Sequence, residues 1–269
     1  MIQKVFYFPQ IFPIFQEAHD FFVNTKKQTA TQHLFTNKQL RTLLVPIMVE
    51  QLLSSLMGTA DTMMVSNVGS AAISAVSLVD AINILVIQAL SALAAGGAIL
   101  CSQYLGSQNL KKAKRSAEQV LFVMLVLSCS LSLLCLIFRF PLLRLIFGTV
   151  DTDVMANSQI YFFFTLLSFP FIGLYDAGAS ILRAQNNTKG PMTISILSNF
   201  LNIGGNAILI FVFGMGVAGA AISTLISRIF CAIVVIWQLR NPAEQIYVRN
   251  YFSIRPDWSL IKRVLFIGI

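Results

Sequence analysis

The sequence has few charged residues and few histidines, and each shortage excludes a class of protein. Of the 269 residues, 11% are charged and 56% are hydrophobic, and the mean hydropathy is +0.75. Since a soluble globular domain carries about 25% charged residues, this composition predicts a polytopic membrane protein. The two histidines, His19 and His33, lie near the N-terminus, so no nucleophile with a neighbouring base can be assembled. We therefore predict that the protein is not an enzyme.

Cysteine is also scarce, and its distribution argues against a metal centre or a disulfide framework. None of the cysteines belongs to a Cys-x-x-Cys or Cys/His pattern. Each lies in an apolar segment, where a small reduced thiol packs as a hydrophobic residue. These residues are Cys101, Cys129, Cys135 and Cys231. We expect no metal site and no cofactor.

The formal net charge of +8 does not favour nucleic-acid binding. Nucleic-acid recognition requires basic residues gathered on one soluble face, with room for phosphates. Here the basic residues fall in the connections between apolar runs. We expect no nucleic-acid partner and interpret the charge as a signal of membrane topology.

Six apolar stretches reach the roughly 20 residues that cross the hydrocarbon core of a bilayer. The predicted spans are residues 41–66, 73–101, 118–140, 158–182, 192–213 and 217–239. A seventh apolar run opens at Leu260 and is too short to cross before Ile269. The expected fold class is therefore an all-α, polytopic membrane helical bundle of six transmembrane helices plus the start of a seventh.

Most basic residues fall on one side of this predicted topology. Sixteen of the 19 lie in the N-terminal tail, the 2–3 and 4–5 connections, or the segment after the sixth span. They are Lys4, Lys26, Lys27, Lys38, Arg41, Lys111, Lys112, Lys114, Arg115, Arg183, Lys189, Arg240, Arg249, Arg255, Lys262 and Arg263. Because cytoplasmic loops are enriched in Lys and Arg, the N-terminus is predicted to be cytoplasmic, in a multi-pass protein of the plasma (cell inner) membrane.

These patterns divide the chain into four predicted parts. Residues 1–36 form a cytoplasmic N-terminal tail, and residues 37–240 form the six-helix transmembrane lobe. Residues 241–259 form a cytoplasmic linker, and residues 260–269 begin a seventh helix.

Asp61 is an unexpected carboxylate in the first apolar span. It lies about 20 residues beyond Arg41, roughly 30 Å along the helix axis, in the outer half of the membrane. A charged carboxylate inside a membrane helix costs roughly 2.5–3.5 kcal/mol on insertion scales, so we predict that Asp61 has a function. Glu50 and Ser54 lie on the same helix face at 100° per residue. Glu50 is nearer the cytoplasm, where headgroup water can also accommodate a structural carboxylate.

Three further predicted helices carry polar residues at the depth of Asp61. These polar residues are Asp80 and Asn83 on the second span, Asn202 and Asn206 on the fifth, and Thr224, Ser227 and Arg228 on the sixth. Such residues either hydrogen-bond across a packed bundle or line a watered cavity. Arg228 can neutralise a neighbour such as Asp80 or contact a substrate.

Three stretches of the sequence resemble one transporter family. They are "LLVPIMVEQLLSSLMGTADTMMVSNVGSAAISAVSLVDAI", "RAQNNTKGPM" and "LNIGGNAILIFVFGMGVAGAAISTLISR". In this order they resemble helices 1 and 2, the 4–5 connection, and helices 5 and 6 of multidrug and toxic compound extrusion (MATE) transporters. The resemblance covers about Thr36 to Leu239. It implies export of organic cations and other amphipathic toxins, driven by protons or sodium ions, through twelve helices in two lobes of six.

The resemblance also implies roles for individual residues. Asp61 is the expected cation-coupling carboxylate, and some members of the family carry a second carboxylate where this chain has Asn206. The expected cavity-lining residues are Ser54, Asn202, Asn206 and Thr224, and the accessory candidates are Glu50, Asp80, Asn83 and Arg228. An oxygen-rich site suits a sodium ion, and a buried carboxylate suits a proton equally, so the coupling ion is left open between H+ and Na+.

The chain matches one lobe of such a transporter. No second copy of the Asp-Thr helix, of "QYLGSQN" or of "GVAGAA" occurs in the remaining residues. Alternating access moves one repeat against another, so the expected partners are membrane lipid, small amphipathic or cationic substrates, and a second six-helix lobe. Two alternatives stay open: a lipid-linked oligosaccharide flippase, whose pyrophosphate requires a cavity rich in Arg and Lys, and a non-transporting fragment.

Overall fold

The computed structural model describes residues 37–148, 150–248, 251 and 256–268. The predicted tail, residues 1–36, lies outside them. The described chain is helical, without strands. Its helices are α1 (Asn37–Val65), α2 (Ser70–Gly106), α3 (Leu110–Ile137), α4 (Arg139–Phe147), α5 (Thr152–Ala184), α6 (Lys189–Asn206, continued by a π-helix at Ala207–Val212), α7 (Gly216–Gln238) and α8 (Trp258–Gly268). The contacts described below belong to the unit that begins at Leu43.

Six of these helices are long and apolar enough to cross a membrane, namely α1, α2, α3, α5, α6 with its π-helical continuation, and α7. The prediction of an all-α membrane bundle with six spans is therefore confirmed. The helix α4 was not predicted, because a segment of nine residues is too short to give a spanning signal. The helix α8 begins just before Leu260, where the seventh apolar run was predicted to open.

Helix ends coincide with residues that suit them chemically. Gly148 follows α4 with φ at 62°, Gly214 lies between α6 and α7 with φ at 64°, and Gly216 begins α7 with φ at 54°. Glycine adopts this left-handed conformation without a Cβ penalty. At the start of α3, the side chain of Asn109 accepts a hydrogen bond from the backbone N–H of Lys112 over 3.1 Å. These residues set where the spans stop and turn.

The helix α5 lies at the centre of the bundle and packs against α2, α3 and α7. Two of its glycines allow the neighbours to come close. A Cβ on Gly173 would lie 2.8 Å from Cβ of Ser128, and one on Gly178 would lie 2.7 Å from Cγ2 of Val235. Small residues at helix contacts are the usual way in which membrane helices pack tightly.

The helix α1 lies at the periphery. In an apolar 18-residue stretch of α1, 11% of the residues are buried, compared with 50% in α5 and in α7. Its exposed apolar side chains include Val45, Met48, Leu52, Leu56 and Met63. Since packing contributes little, polar side chains on α1 have a large share in determining where it sits.

Candidate functional site

Asp61 lies at the junction of α1, α6 and α7 and is 4% exposed. The side-chain amide of Asn206, the last residue of α6, donates a hydrogen bond to Oδ1 of Asp61. The hydroxyl of Thr224 on α7 donates to Oδ2 over 3.2 Å. Three helices that the sequence placed at one depth therefore meet at a single carboxylate.

The donors to Asp61 are in turn held by their neighbours. The side-chain amide of Asn202 donates to Oγ1 of Thr224 over 3.1 Å, and the hydroxyl of Ser223 donates to the carbonyl oxygen of Asn202 over 2.8 Å. The π-helical turn begins directly after Asn206. Such turns are frequent at functional sites, because they change the direction of side chains within a helix. We call Asp61, Asn202, Asn206 and Thr224 the Asp61 cluster.

Two buried amide oxygens in the Asp61 cluster have no hydrogen-bond donor among the described residues. They are Oδ1 of Asn202 and Oδ1 of Asn206, and both residues are 0% exposed. Buried acceptors in native proteins nearly always have a partner, so these oxygens are suited to a cation or a water molecule. With the carboxylate of Asp61 they form the all-oxygen group that hard cations prefer.

The described residues contain no group of three or more His, Cys, Asp and Glu side chains placed to share a metal ion. The Asp61 cluster has one carboxylate and three neutral side chains. Its charge suits a single monovalent cation or a proton better than a divalent metal.

Asp80 on α2 has partners on its own helix and on α5. Its Oδ1 accepts a hydrogen bond from the side-chain amide of Asn83 over 3.2 Å and from the hydroxyl of Tyr161 over 3.3 Å. Oδ1 of Asn83 is buried and has no partner among the described residues. The charge of Asp80 acts on Asp61, so a second carboxylate influences the Asp61 cluster.

Arg228, for which the sequence suggested neutralisation of Asp80 as one role, acts on Asp80 without direct contact. Its Nη1 donates to the hydroxyl of Ser168 over 2.6 Å, and within the described part of the chain no ion pair joins it to Asp80. Its positive charge acts on Asp61 and Asp80 at longer range. Arg228 therefore offsets part of the negative charge of Asp61 and Asp80 without forming an ion pair with either.

Glu50 and Ser54 do not join the Asp61 cluster, although they share its predicted helix face. Ser54 is exposed. Glu50 is 7% exposed and accepts hydrogen bonds from the hydroxyl of Tyr175 over 2.7 Å and from Nη1 of Arg183 over 2.8 Å. We call Glu50, Tyr175, Asp176 and Arg183 the Glu50 cluster.

Sequence reasoning missed three members of the Glu50 cluster and Tyr161. Asp176 carried a usable signal, because it is a carboxylate inside the fourth predicted span, as Asp61 is in the first. Arg183 was counted only as a basic residue of the 4–5 connection. The two tyrosines gave no signal, since buried tyrosine is common in apolar helices.

Comparison with known proteins shows which family the chain belongs to. A family model described as MatE matches residues 46–208, which run from within α1 to just past Asn206 at the end of α6 and contain three of the four residues of the Asp61 cluster. The chain belongs to the MatE family. This MatE chain is 34% identical over 230 residues to the uncharacterized transporter YisQ of Bacillus subtilis, covering 83% of the chain and 50% of that protein. It is 28% identical over 243 residues to the probable multidrug resistance protein NorM of Thermotoga maritima, covering 86% and 50%.

Solved MATE structures share the fold of the MatE chain. An outward-facing multidrug resistance MATE family transporter of the MOP superfamily superposes with a TM-score of 0.78 at 24% identity, covering 86% of this chain and 51% of that one. A MATE crystal structure in complex with MaD3S gives 0.79 at 24% identity, covering 86% and 52%. The chain spans about half the length of the curated relatives that it matches. It is thus a multi-pass membrane protein of a transporter family.

Proposed function

We propose that this chain is one lobe of a cation-coupled antiporter that exports organic cations and other amphipathic toxins in exchange for protons or sodium ions. The observation that carries the proposal is the buried carboxylate of Asp61 beside the amide oxygens of Asn202 and Asn206, which have no donor in the part of the chain that the structure describes. The names of relatives, one of them a probable multidrug resistance protein, support the class of substrate.

The charge balance of the Asp61 cluster supports ion binding. Its hydrogen-bond donors, Asn206 and Thr224, are neutral. A buried charge is costly without a counter-charge, and Arg228 bonds to Ser168 instead. A proton or a sodium ion on Asp61 removes that cost. The amide oxygens of Asn202 and Asn206 give a sodium ion further ligands, whereas a proton needs only the carboxylate.

Ion binding at Asp61 changes contacts among three helices. Neutralising the carboxylate weakens its hold on Asn206 of α6 and Thr224 of α7, so α1 can shift relative to both. The shift can drive transport only as far as the ion prefers one conformation over the other. Because alternating access in repeat transporters moves one repeat against another, the proposed cycle requires a second six-helix lobe.

Dye efflux tests the role of Asp61. In a two-lobed transporter that contains this chain, Asp61→Asn keeps the side-chain shape, mimics the neutral form and should abolish ion-coupled ethidium efflux. Ser54→Ala, on the same helix but exposed, should retain parental efflux. Residues 1–269 expressed alone should insert without lowering dye accumulation. Parental efflux by Asp61→Asn across a series of pH values and sodium concentrations would show that Asp61 is not the coupling site.

The same proposal includes an orientation with the N-terminus in the cytoplasm of the cell, based on the distribution of Lys and Arg. Asn67 lies between α1 and α2 and Met215 between α6 and α7, whereas Asn109 and Asn187 lie in the connections at the opposite ends. In a cysteine-free background, a membrane-impermeant thiol reagent should label cysteines at Asn67 or Met215 in intact cells. Labelling at Asn109 from outside would reverse the orientation.

A further inference from the structure

The Glu50 cluster contains two carboxylates and a single guanidinium. Glu50 on α1 uses both oxygens, one for the hydroxyl of Tyr175 and one for Arg183. The side chains of Arg183 and Glu50 are 24% and 10% exposed, so the pair is largely shielded from water. With both carboxylates ionised, the cluster would hold one uncompensated negative charge.

Asp176 is the carboxylate that lacks a counter-charge in contact with it. Its Oδ2 is buried and has no hydrogen-bond partner among the described residues. The charged groups that act on it are Arg183 of its own helix, Glu50 of α1 and Arg228 of α7. Of these, Arg183 bonds to Glu50 and Arg228 bonds to Ser168. An ionised carboxylate with an oxygen in this position is costly, and a protonated one is much less so.

Other ionisable groups near Asp176 do not replace the missing partner. The hydroxyl of Tyr175 is already directed to Glu50. Cys231 on α7 is buried and lies within electrostatic range of Asp176 and Glu50, but it is a weak hydrogen-bond donor. The proton is therefore the simplest species that satisfies the charge of the cluster.

Helix geometry places Arg183 near Asp176 as well as Glu50. Asp176 and Arg183 are seven residues apart on α5, so they lie on the same face, about 10 Å apart along the axis. Long side chains on a helix point back toward its N-terminus, which directs Arg183 toward Asp176. An open cleft of about 500 Å³ between α2 and α5 is lined by Arg183, Ser102 and Gln103, so Arg183 borders open space.

Which carboxylate Arg183 pairs with affects how α1 is held. This helix is poorly buried, and Glu50 attaches it to α5 as Asp61 attaches it to α6 and α7. The two attachments are eleven residues, or roughly 16 Å, apart along α1. Loss of the Glu50–Arg183 pair would leave only the hydroxyl of Tyr175 to hold Glu50 to α5, and so would loosen this end of the helix while leaving the other in place.

We propose that Glu50 and Asp176 form a proton-binding site in which the two carboxylates share one proton and one arginine. With the proton on Asp176, ionised Glu50 holds Arg183 and ties α1 to α5. When that proton passes from Asp176 to Glu50, Arg183 turns to ionised Asp176, and the ion pair that ties α1 to α5 is lost. The total charge of the cluster is zero in both states. This site does not depend on ion coupling at Asp61.

Infrared difference spectroscopy on the purified 269-residue chain tests the proton directly. A protonated carboxyl has a carbonyl stretch that shifts in D₂O. The measurement uses the Asp61→Asn background, so that no signal comes from Asp61. We expect a protonated-carboxyl band at neutral pH that is lost in Asp176→Asn and kept in Asp153→Asn, a matched change at an exposed aspartate of the same helix. Persistence of the band in Asp176→Asn would overturn the assignment, as would its absence from the background chain.

Glu50→Gln tests the exchange of Arg183 without altering Asp176. Glutamine carries no charge, so Arg183 should turn to Asp176, which should lose its proton and its infrared band. Hydrogen exchange of the α1 backbone near residue 50 should also become faster in Glu50→Gln, and it should stay parental in Asp153→Asn. A retained band together with parental exchange would rule out the shared proton, even if the Asp61 proposal held.

Discussion

Two buried carboxylates on α1, those of Asp61 and Glu50, accept hydrogen bonds from different kinds of donor. Asp61 receives hydrogen bonds from Asn206 and Thr224, which are neutral. Glu50 receives them from Tyr175 and from the guanidinium of Arg183. Glu50 and Asp61 are both less than a tenth exposed. Burial alone therefore does not distinguish them, and the difference lies in whether a positive charge is built into the protein.

The presence of a counter-charge decides what each carboxylate can do. A carboxylate that is paired with arginine gains nothing from a second cation, so Glu50 in this state is an attachment point for α1. A carboxylate with neutral donors has no positive charge in contact with it, and under the proposed function an ion or a proton supplies that charge to Asp61. We infer that one helix carries an attachment held by a positive charge of the protein and another that would take its positive charge from an ion or a proton.

Arg183→Gln is expected to have the largest effect on stability. It leaves Glu50 buried and unpaired, which costs about 3 kcal/mol, the low end of the range for broken buried pairs because Arg183 is 24% exposed. Asp61→Asn should cost less than about 1 kcal/mol, since it removes a buried charge and keeps the shape. Denaturant unfolding of the purified chain in detergent measures both variants.

The control for Arg183→Gln is the double variant with Glu50→Gln. Removing both charges should recover most of the lost stability, because the main cost is the unpaired carboxylate and not the missing contact. Equal losses in Arg183→Gln and Asp61→Asn would mean that the two carboxylates are held in the same way, and the comparison would fail.

Asp80→Asn is expected to have an intermediate effect, confined to ion affinity. The negative charge of Asp80 acts on Asp61 and so attracts a cation to it. An amide at position 80 can keep the hydrogen bond from Tyr161, and removal of about 1 kcal/mol of attraction should weaken ion binding roughly fivefold. Titration calorimetry of the purified chain measures the affinity, and unchanged binding in Asp80→Asn would show that Asp80 is only a packing residue.

The spans and the common depth of the Asp61 cluster could be predicted from the sequence, because both follow from the spacing of apolar residues. A crossing helix needs about 20 apolar residues, so its existence and depth can be read from spacing alone. Once the direction of each helix is known, Asp61, Asn202 and Thr224 fall at one level. The structure confirms that these side chains meet. Their role in ion coupling stays a prediction.

The Glu50 cluster could not be predicted from spacing in the same way. Glu50 and Arg183 are 133 positions apart, and depth alone does not say which helices are neighbours. A helical stripe likewise does not say how far the contact surface extends around the helix, which is why Ser54 was grouped with Asp61 although it is exposed. The neighbours of a helix in a bundle are set by packing, including the close approaches at Gly173 and Gly178.

The smallest effect is expected at Asp257, an ionised carboxylate that lies outside the spans and makes the contrast with α1 sharper. The hydroxyl of Ser259 donates to it over 2.7 Å and Arg115 on α3 pairs with it at 3.2 Å. The Ser259 hydrogen bond is the main cause that lowers its pKa, with help from the charge of Arg115. A carboxyl with a lowered pKa stabilises the fold above its unfolded pKa of about 3.9, and this contribution is lost as pH falls through the lower folded value. Protection of α8 from hydrogen exchange should therefore be constant from about pH 5 to 8 and fall only below about pH 4. Asp257→Asn should remove that fall, and a change in protection near neutral pH that Asp257→Asn abolishes would contradict the assignment.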